Sequence, residues 1–236
     1  MSAVVWHDLE CGAYAEDLPL WRELAGAGPV LDVGAGTGRV ALDLARRGVP
    51  VVALDVEEAL LAALRERAGD LPVETVCADA TAFDLGRTFP VVLVPMQTVQ
   101  LLEDAAARGR FLRCAHRHLE PGGVLAAALA DAREAIADDP AAPLPLPDMR
   151  EQDGVVWASR PLAVVDEGDR AAIHRLREVV QPDGTRTEAL DVVRLAHLPP
   201  EVLEAEARDA GLRVLGRREV GATDDYLGSD VVVVAR

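Results

Sequence analysis

The stretch Val30-Leu31-Asp32-Val33-Gly34-Ala35-Gly36-Thr37-Gly38-Arg39-Val40 decides how this chain folds. Val30–Val33 is apolar on both faces apart from Asp32, the texture of a strand buried in a parallel sheet. Three glycines at alternate positions follow, and they permit positive φ and let a ligand approach the backbone closely. Arg39 then opens an amphipathic run to Arg47 that reads as a helix.

The same alternation continues outward from this unit. Val51–Leu54, Val73–Cys77, Val91–Val94 and Val124–Leu129 are further Val- and Leu-rich runs, separated by the helix-like segments Glu57–Ala68 and Glu103–Leu119. Strand and helix in turn imply right-handed crossovers and an α/β, doubly wound sheet. Residues 1–28 read as one or two short helices forming a cap, and 29–130 as the ligand-binding core. Asp138–Asp148, with four prolines, reads as a connector. Within 150–198, Val155–Val165, Arg170–Val180 and Arg186–Ala196 read as inserted antiparallel strands, the last two joined by a Pro182-Asp183-Gly184 turn. In 199–236, Pro199–Ala210 reads as a helix, and Arg213–Val220 and Asp230–Ala235 as the two final strands. The expectation is a single domain over 1–236 with that extension inserted.

Composition bounds the function. The formal net charge is −16, which repels phosphate backbones and argues against a nucleic-acid partner. All the basic residues are Arg, and Asn is absent along with Lys, a pattern expected of a GC-rich genome. No apolar run approaches a membrane span, and MSAVVWHDLE lacks the basic start and apolar core of a signal peptide. Cys11, Cys77 and Cys114 are far apart and contain no CxxC, so neither a disulfide framework nor a metal site is expected. The expected location is the cytoplasm.

Nucleotides, dinucleotides and adenosyl ligands all use glycine turns, and three details separate them here. A dinucleotide fingerprint would place its third glycine at position 39, which is Arg39. Asp32 stands just before the first glycine, where a carboxylate repels a pyrophosphate but attracts an ammonium or sulfonium. A P-loop needs a lysine, and there is none. Two further acids end the next strands: Asp55, placed to accept from ribose hydroxyls, and Asp79, followed by Ala80, placed for an adenine edge. Three acids at successive carboxyl ends of parallel strands converge where open α/β sheets bind ligands.

On these residues the chain resembles the class I S-adenosylmethionine-dependent methyltransferases. VLDVGAGTGRVALDLARRG resembles their cofactor motif, VVALDVEEALL the ribose-binding strand and CADATAFDL the adenine turn. FPVVLVPMQTVQLL resembles the fourth strand and active-site entry, and HLEPGGVLAAAL the approach to strand five. The resemblance implies a Rossmann-like seven-stranded sheet, with S-adenosyl-L-methionine as cofactor and S-adenosyl-L-homocysteine as product. It implies cofactor contacts at Asp32, Gly34, Ala35, Gly36, Gly38, Asp55, Val56, Asp79, Ala80, Pro95, Met96 and Gln97, with Tyr14 and Trp21 of the cap closing over the ligand. Of Gln97, Thr98 and Gln100, one is expected to touch substrate or cofactor.

Absences narrow the acceptor. Adenine- and glutamine-modifying members carry (Asn/Asp)-Pro-Pro-aromatic after strand four, where this chain has Val94-Pro95-Met96-Gln97. Metal-dependent catechol-type members use an Asp-Asp-Asn cluster, and this chain has no Asn. The inserted strands resemble an extension of small-molecule N-methyltransferases, including those acting on amino sugars. A small-molecule acceptor methylated at nitrogen is therefore the expectation, and a homodimer through the inserted strands is one arrangement that resemblance allows. His7, His116 and His118 read as structural or solvated, and no catalytic residue is assigned. Two other readings stay open: a non-catalytic protein binding the same cofactor or its product, and an NAD-dependent oxidoreductase.

Overall fold

The computed structural model describes residues 2–135, 145–223 and 226–236. Seven of the connector positions, 138–144, and the loop acids Asp224 and Asp225 lie outside them. The chain divides into two compact units, 1–14 with 131–197 and 15–130 with 198–236, so the boundary cuts through the expected N-terminal cap.

The larger unit begins with α2 (Leu18–Ala25), after α1 (Ser2–Cys11) of the other unit. It continues with β1 (Val30–Val33), α3 (Arg39–Ala45), β2 (Val51–Asp55), α4 (Glu58–Ala68), β3 (Val73–Cys77), β4 (Phe89–Val94), α5 (Ala105–His118) and β5 (Leu119–Leu129). The chain returns to it with α6 (Pro200–Asp209), β10 (Arg213–Val220) and β11 (Ser229–Ala235). The strands form one seven-stranded sheet in the order β10-β11-β5-β4-β1-β2-β3. β1 through β5 run parallel, and β11 enters antiparallel between β5 and β10. β1, β2, β4 and the second half of β5 carry nearly unbroken buried runs, as strands covered on both faces must, whereas the edge strand β3 does not.

Alternation along the strands builds a core on one face: Leu31 and Val33 pack with Val52, Leu54, Val92 and Val94, and beneath α5 and α6 with Phe111, Leu112 and Leu203. α5 starts where the Asp104 side chain accepts from the Ala107 amide at 2.7 Å, capping orphan N–H groups. His118 near its end is structural, as the sequence implied. Its Nε2 accepts from the Leu85 amide at 3.0 Å, so Nδ1 is left to donate to the Cys114 carbonyl.

The smaller unit is an antiparallel sheet of β6 (Asp148–Gln152), β7 (Val155–Asp166), β8 (Arg170–Val180) and β9 (Arg186–Ala196), in that order, with α1 against β6 and β7. β6 spans the last residue of the expected connector and the positions just before the first expected strand at Val155, where the sequence predicts no strand. Its sequence, DMREQ, is charged and short, the character of an edge strand rather than of a core one. Glu10 fastens α1 to the sheet by accepting from Ser159 Oγ (2.7 Å) and from Arg177 Nε and Nη2 (2.8 and 2.7 Å). Burial pushes its carboxyl up, but these bonds prevail and hold it below the usual carboxylate range. Among the described residues, no helix is long and apolar enough to cross a membrane.

Candidate functional site

The strand register sets the carboxyl ends of β1, β2, β3 and β4 along one edge of the sheet. Val33 stands level with Leu54, Leu54 with Val76, and Asp32 with Leu93. The loops leaving these ends carry most of the residues the sequence singled out, and hydrogen bonds join them. Gly34 and Ala35 donate to the Leu54 carbonyl at 2.8 and 3.1 Å. Gly36 N donates to Asp55 Oδ2 at 2.7 Å, and Ala78 N to the Asp55 carbonyl at 3.0 Å.

That arrangement bears on what the loop can hold. A phosphate cradle presents unengaged backbone N–H groups to the ligand. Here the amides of Gly34, Ala35, Gly36 and Gly38 all donate within the protein, the last to Ala35 O at 2.9 Å. The glycines serve close packing instead. Gly34 has φ +73°, and a Cβ there would stand 2.3 Å from Thr98 Cγ2. Gly38 has φ +94°, and a Cβ there would stand 2.2 Å from Leu64 Cδ1 of α4.

Asp32 is the unusual group. Its side chain is only 1% exposed, and no donor reaches either carboxylate oxygen with hydrogen-bond geometry. Burial pushes its pKa up to about 7; Arg39 opposes that rise, while Asp55 and Asp17 add to it, and the Ala41 amide acts weakly against it. A buried carboxyl with unmatched lone pairs is costly unless something pairs with it. A ligand cation fits that role, and a pyrophosphate does not.

Asp55 is half-buried, and besides Gly36 it accepts from the Glu57 amide at 2.9 Å through Oδ1. Each oxygen retains a lone pair for a hydroxyl donor. Val56 beside it is 67% exposed, an apolar surface at the strand tip. Asp79 is exposed, and the Thr81 backbone amide, at 2.7 Å, holds its carboxyl below the usual range. Ala80 is half-buried next to it.

After β4, Pro95 is buried and Met96 adopts φ +54°, a conformation that residues with a side chain rarely take. Thr98 Oγ1 donates to the Pro95 carbonyl at 2.9 Å, which pins its methyl against Gly34. Gln100 is buried, donating to Ala130 O at 2.9 Å and accepting from Ala130 N at 3.0 Å, so its amide is spent on structure. Gln97 is half-buried at the same edge.

Trp21, expected to close over the ligand, is fully buried, and its Nε1 donates to Asp17 at 2.7 Å. It anchors α2 in the core. Tyr14 belongs to the smaller unit. No signal in the sequence pointed to Asp17, which receives Arg39 and Trp21 together. The smaller unit also has a shallow groove of about 430 Å³ between Trp6, Trp157 and Leu190, with Arg177 over the Trp6 ring. Glu10 and Asp191 both pair with that arginine. Among the described residues, no group of three or more His, Cys, Asp and Glu side chains is placed to hold a metal ion.

Residues 30–123 match the family model described as a methyltransferase domain. The cypemycin N-terminal methyltransferase of a Streptomyces species is 37% identical over 94 residues, which is 40% of this chain and 38% of that protein. A tRNA1(Val) (adenine(37)-N6)-methyltransferase of Bacteroides thetaiotaomicron is 34% identical over 99 residues, 38% of this chain and 42% of that one. The chain thus spans about two-fifths of the length of the curated relatives it matches. Among solved structures, the SAM-bound amino pentose methyltransferase CalS10 of Micromonospora echinaspora, involved in calicheamicin biosynthesis, superposes with a TM-score of 0.71 at 26% identity. That match covers 98% of this chain and 91% of the other.

Proposed function

We propose, from the premise that the chain carries a class I S-adenosylmethionine-dependent methyltransferase domain, that it moves a methyl group from S-adenosyl-L-methionine to a small-molecule amine. The observation that carries the cofactor reading is Asp32, a buried carboxyl without a partner behind a glycine turn whose amides are engaged. An amino-acid ammonium matches it. Asp55 would take the ribose hydroxyls, Val56 and Ala80 the adenine faces, and Asp79 the adenine amino group. The bound cofactor supplies a methyl carbon on a sulfonium and leaves as S-adenosyl-L-homocysteine. The chain's contribution is to hold acceptor and methyl in line, which converts a bimolecular displacement into an oriented one.

An amine acceptor asks little more than loss of its proton, in keeping with the absence of an assigned base. The cypemycin enzyme is named for an N-terminus, which supports nitrogen, and CalS10 for an amino pentose, a small molecule that bears an amine. The tRNA-directed relative represents another acceptor class. The charge of −16 and the sequence Val94-Pro95-Met96-Gln97 after β4 favour a small molecule over it. The test is release of S-adenosyl-L-homocysteine from purified protein given the cofactor and, separately, amino sugars, peptide amines, phenols and tRNA. Turnover with an amine is the expected result; turnover with phenols alone moves the acceptor atom to oxygen, and turnover with tRNA alone overturns the small-molecule reading.

Asp55→Ala is expected to weaken S-adenosyl-L-homocysteine binding by roughly 1.5–3 kcal/mol, the range for hydrogen bonds to a charged group. Asp55→Asn keeps one acceptor oxygen and should lose less. Calorimetry on the folded variants checks both, and unchanged affinity would place the ribose elsewhere.

A further inference from the structure

The turn that leaves β4, Pro95-Met96-Gln97-Thr98, closes with Thr98 N donating to the Pro95 carbonyl at 3.4 Å. Met96 in its first central position has φ +54°, and Gln97 in the second has φ −100° and ψ 21°. These are the φ signs of a type II′ turn, whose first central place favours glycine. Among the described residues, Asp153 is the one other non-glycine with positive φ, and it has an ordinary reason: Asp153-Gly154 is the two-residue turn between β6 and β7. Met96 has no such reason, because it links a strand to a short 3-10 helix, Thr98–Leu101. The conformation is held from both sides. Thr98 Oγ1 adds a second bond to the Pro95 carbonyl at 2.9 Å, and the Gln97 carbonyl accepts from the amides of Gln100 and Leu101 at 2.8 and 3.2 Å. Gln100 is fixed in turn by its two bonds to Ala130.

Backbone held in such sparsely populated regions clusters at functional sites, and what this turn offers a ligand is Gln97. Thr98 spends its hydroxyl on Pro95 and its methyl against Gly34, and Gln100 spends its amide on Ala130. The half-buried Gln97 side chain has no hydrogen-bond partner among the described residues, and its amide is not sealed from solvent. Thr98 seated against Gly34 sets the turn beside the glycine loop, at the carboxyl edge of the sheet. No residue from Pro95 to Leu102 ionises. A neutral amide cannot take the proton from a hydroxyl, but its oxygen can accept an amine N–H and leave the nitrogen lone pair free. We propose that the clamped turn seats the acceptor and that Gln97 binds it, the side-chain Oε1 accepting an N–H of the amine and so setting the direction of its lone pair. The inference rests on the amine reading above and makes Gln97 an acceptor residue, in place of the cofactor contact that the resemblance implied.

Two amines, D-glucosamine and triglycine, serve as probes, with turnover followed against pH and S-adenosyl-L-homocysteine affinity measured by calorimetry. Gln97→Leu keeps the bulk of the side chain without its amide. It should lower kcat/KM about tenfold for the amine that the wild type turns over, the upper worth of one hydrogen bond. S-adenosyl-L-homocysteine should bind it as it binds the wild type. Gln97→Glu sets a carboxylate against the amine and stabilises its ammonium form, so the rise of turnover with pH should move up by about one unit. In protein loaded with S-adenosyl-L-homocysteine, the same amine should bind more tightly to Gln97→Glu than to the wild type at pH 6, a change that a merely structural glutamine would not produce. Wild-type rates, amine affinities and pH profiles in both variants overturn the inference and leave the amine reading standing. A loss of S-adenosyl-L-homocysteine affinity in Gln97→Leu that matches its loss of turnover makes Gln97 a cofactor contact, which also overturns it. Wild-type protein that binds S-adenosyl-L-homocysteine but turns over neither amine overturns the amine reading and this inference together.

Discussion

Gly34→Ala should destabilise the protein by about 3 kcal/mol, measured by urea unfolding at neutral pH. Two separate costs add. Gly34 has φ +73°, where a side chain costs roughly 1–2 kcal/mol. The new methyl would also lie 2.3 Å from Thr98 Cγ2 and 2.6 Å from Oγ1, and overpacking of that kind costs roughly 1–3 kcal/mol. Thr98 cannot simply rotate away, because it is β-branched and its hydroxyl is bonded to the Pro95 carbonyl. Thr98→Ala removes both clashing atoms, so the double variant should recover the overpacking part and keep the backbone part. A double-mutant cycle with no coupling would show that the loop after β4 does not press on the glycine turn.

Asp32→Asn should separate stability from binding. The folded-state pKa of about 7 lies above the roughly 3.9 of an unfolded aspartate, so between those values the native state holds a proton that the unfolded state has released. The sign follows: in the ligand-free protein, this group lowers stability as pH rises from about 4 to about 7 and adds no further change above that. Asparagine removes the effect. Ligand-free Asp32→Asn should match the wild type near pH 4 and exceed it at pH 8 by up to roughly 4 kcal/mol, three units at 1.36 kcal/mol each. The same variant should bind S-adenosyl-L-homocysteine at least tenfold more weakly at pH 8, because the ammonium loses its counter-charge. Chemical unfolding at pH 4.5 and 8 reads the first effect and calorimetry the second. A stability difference independent of pH would mean that Asp32 is ionised throughout.

The parallel core was legible because its signals are local. A run such as Val30–Val33 between turn residues states its own burial, and three glycines before a helix state a tight turn. Asp32, Asp55 and Asp79 were legible as strand-tip acids, since the strand ends set where they fall. The partnerships among them were not. That Gly36 N would be taken by Asp55, or that Thr98 would fill the space over Gly34, depends on contacts between segments far apart in sequence. The Asp17–Arg39 pair was hidden for the same reason: two opposite charges 22 positions apart carry no periodic signature. Trp21 looked like a cap residue because it lies outside the alternating strands, yet its size and its bond to Asp17 take it into the core. β6 escaped because four of its five residues are exposed, so burial left no mark on its sequence.

The glycine turn and the acids around it are proposed to hold an adenosyl amino acid. Thermal unfolding of the purified protein with S-adenosyl-L-homocysteine or with NADH tests that most directly. A ligand at a hundred times its dissociation constant adds about 2.7 kcal/mol, worth roughly 5–10 °C in a chain this long. A shift of that size with S-adenosyl-L-homocysteine and none with NADH is the predicted result. A shift with NADH alone would contradict the account, and it would make the engaged amides of Gly34, Ala35 and Gly36 the first thing to re-examine.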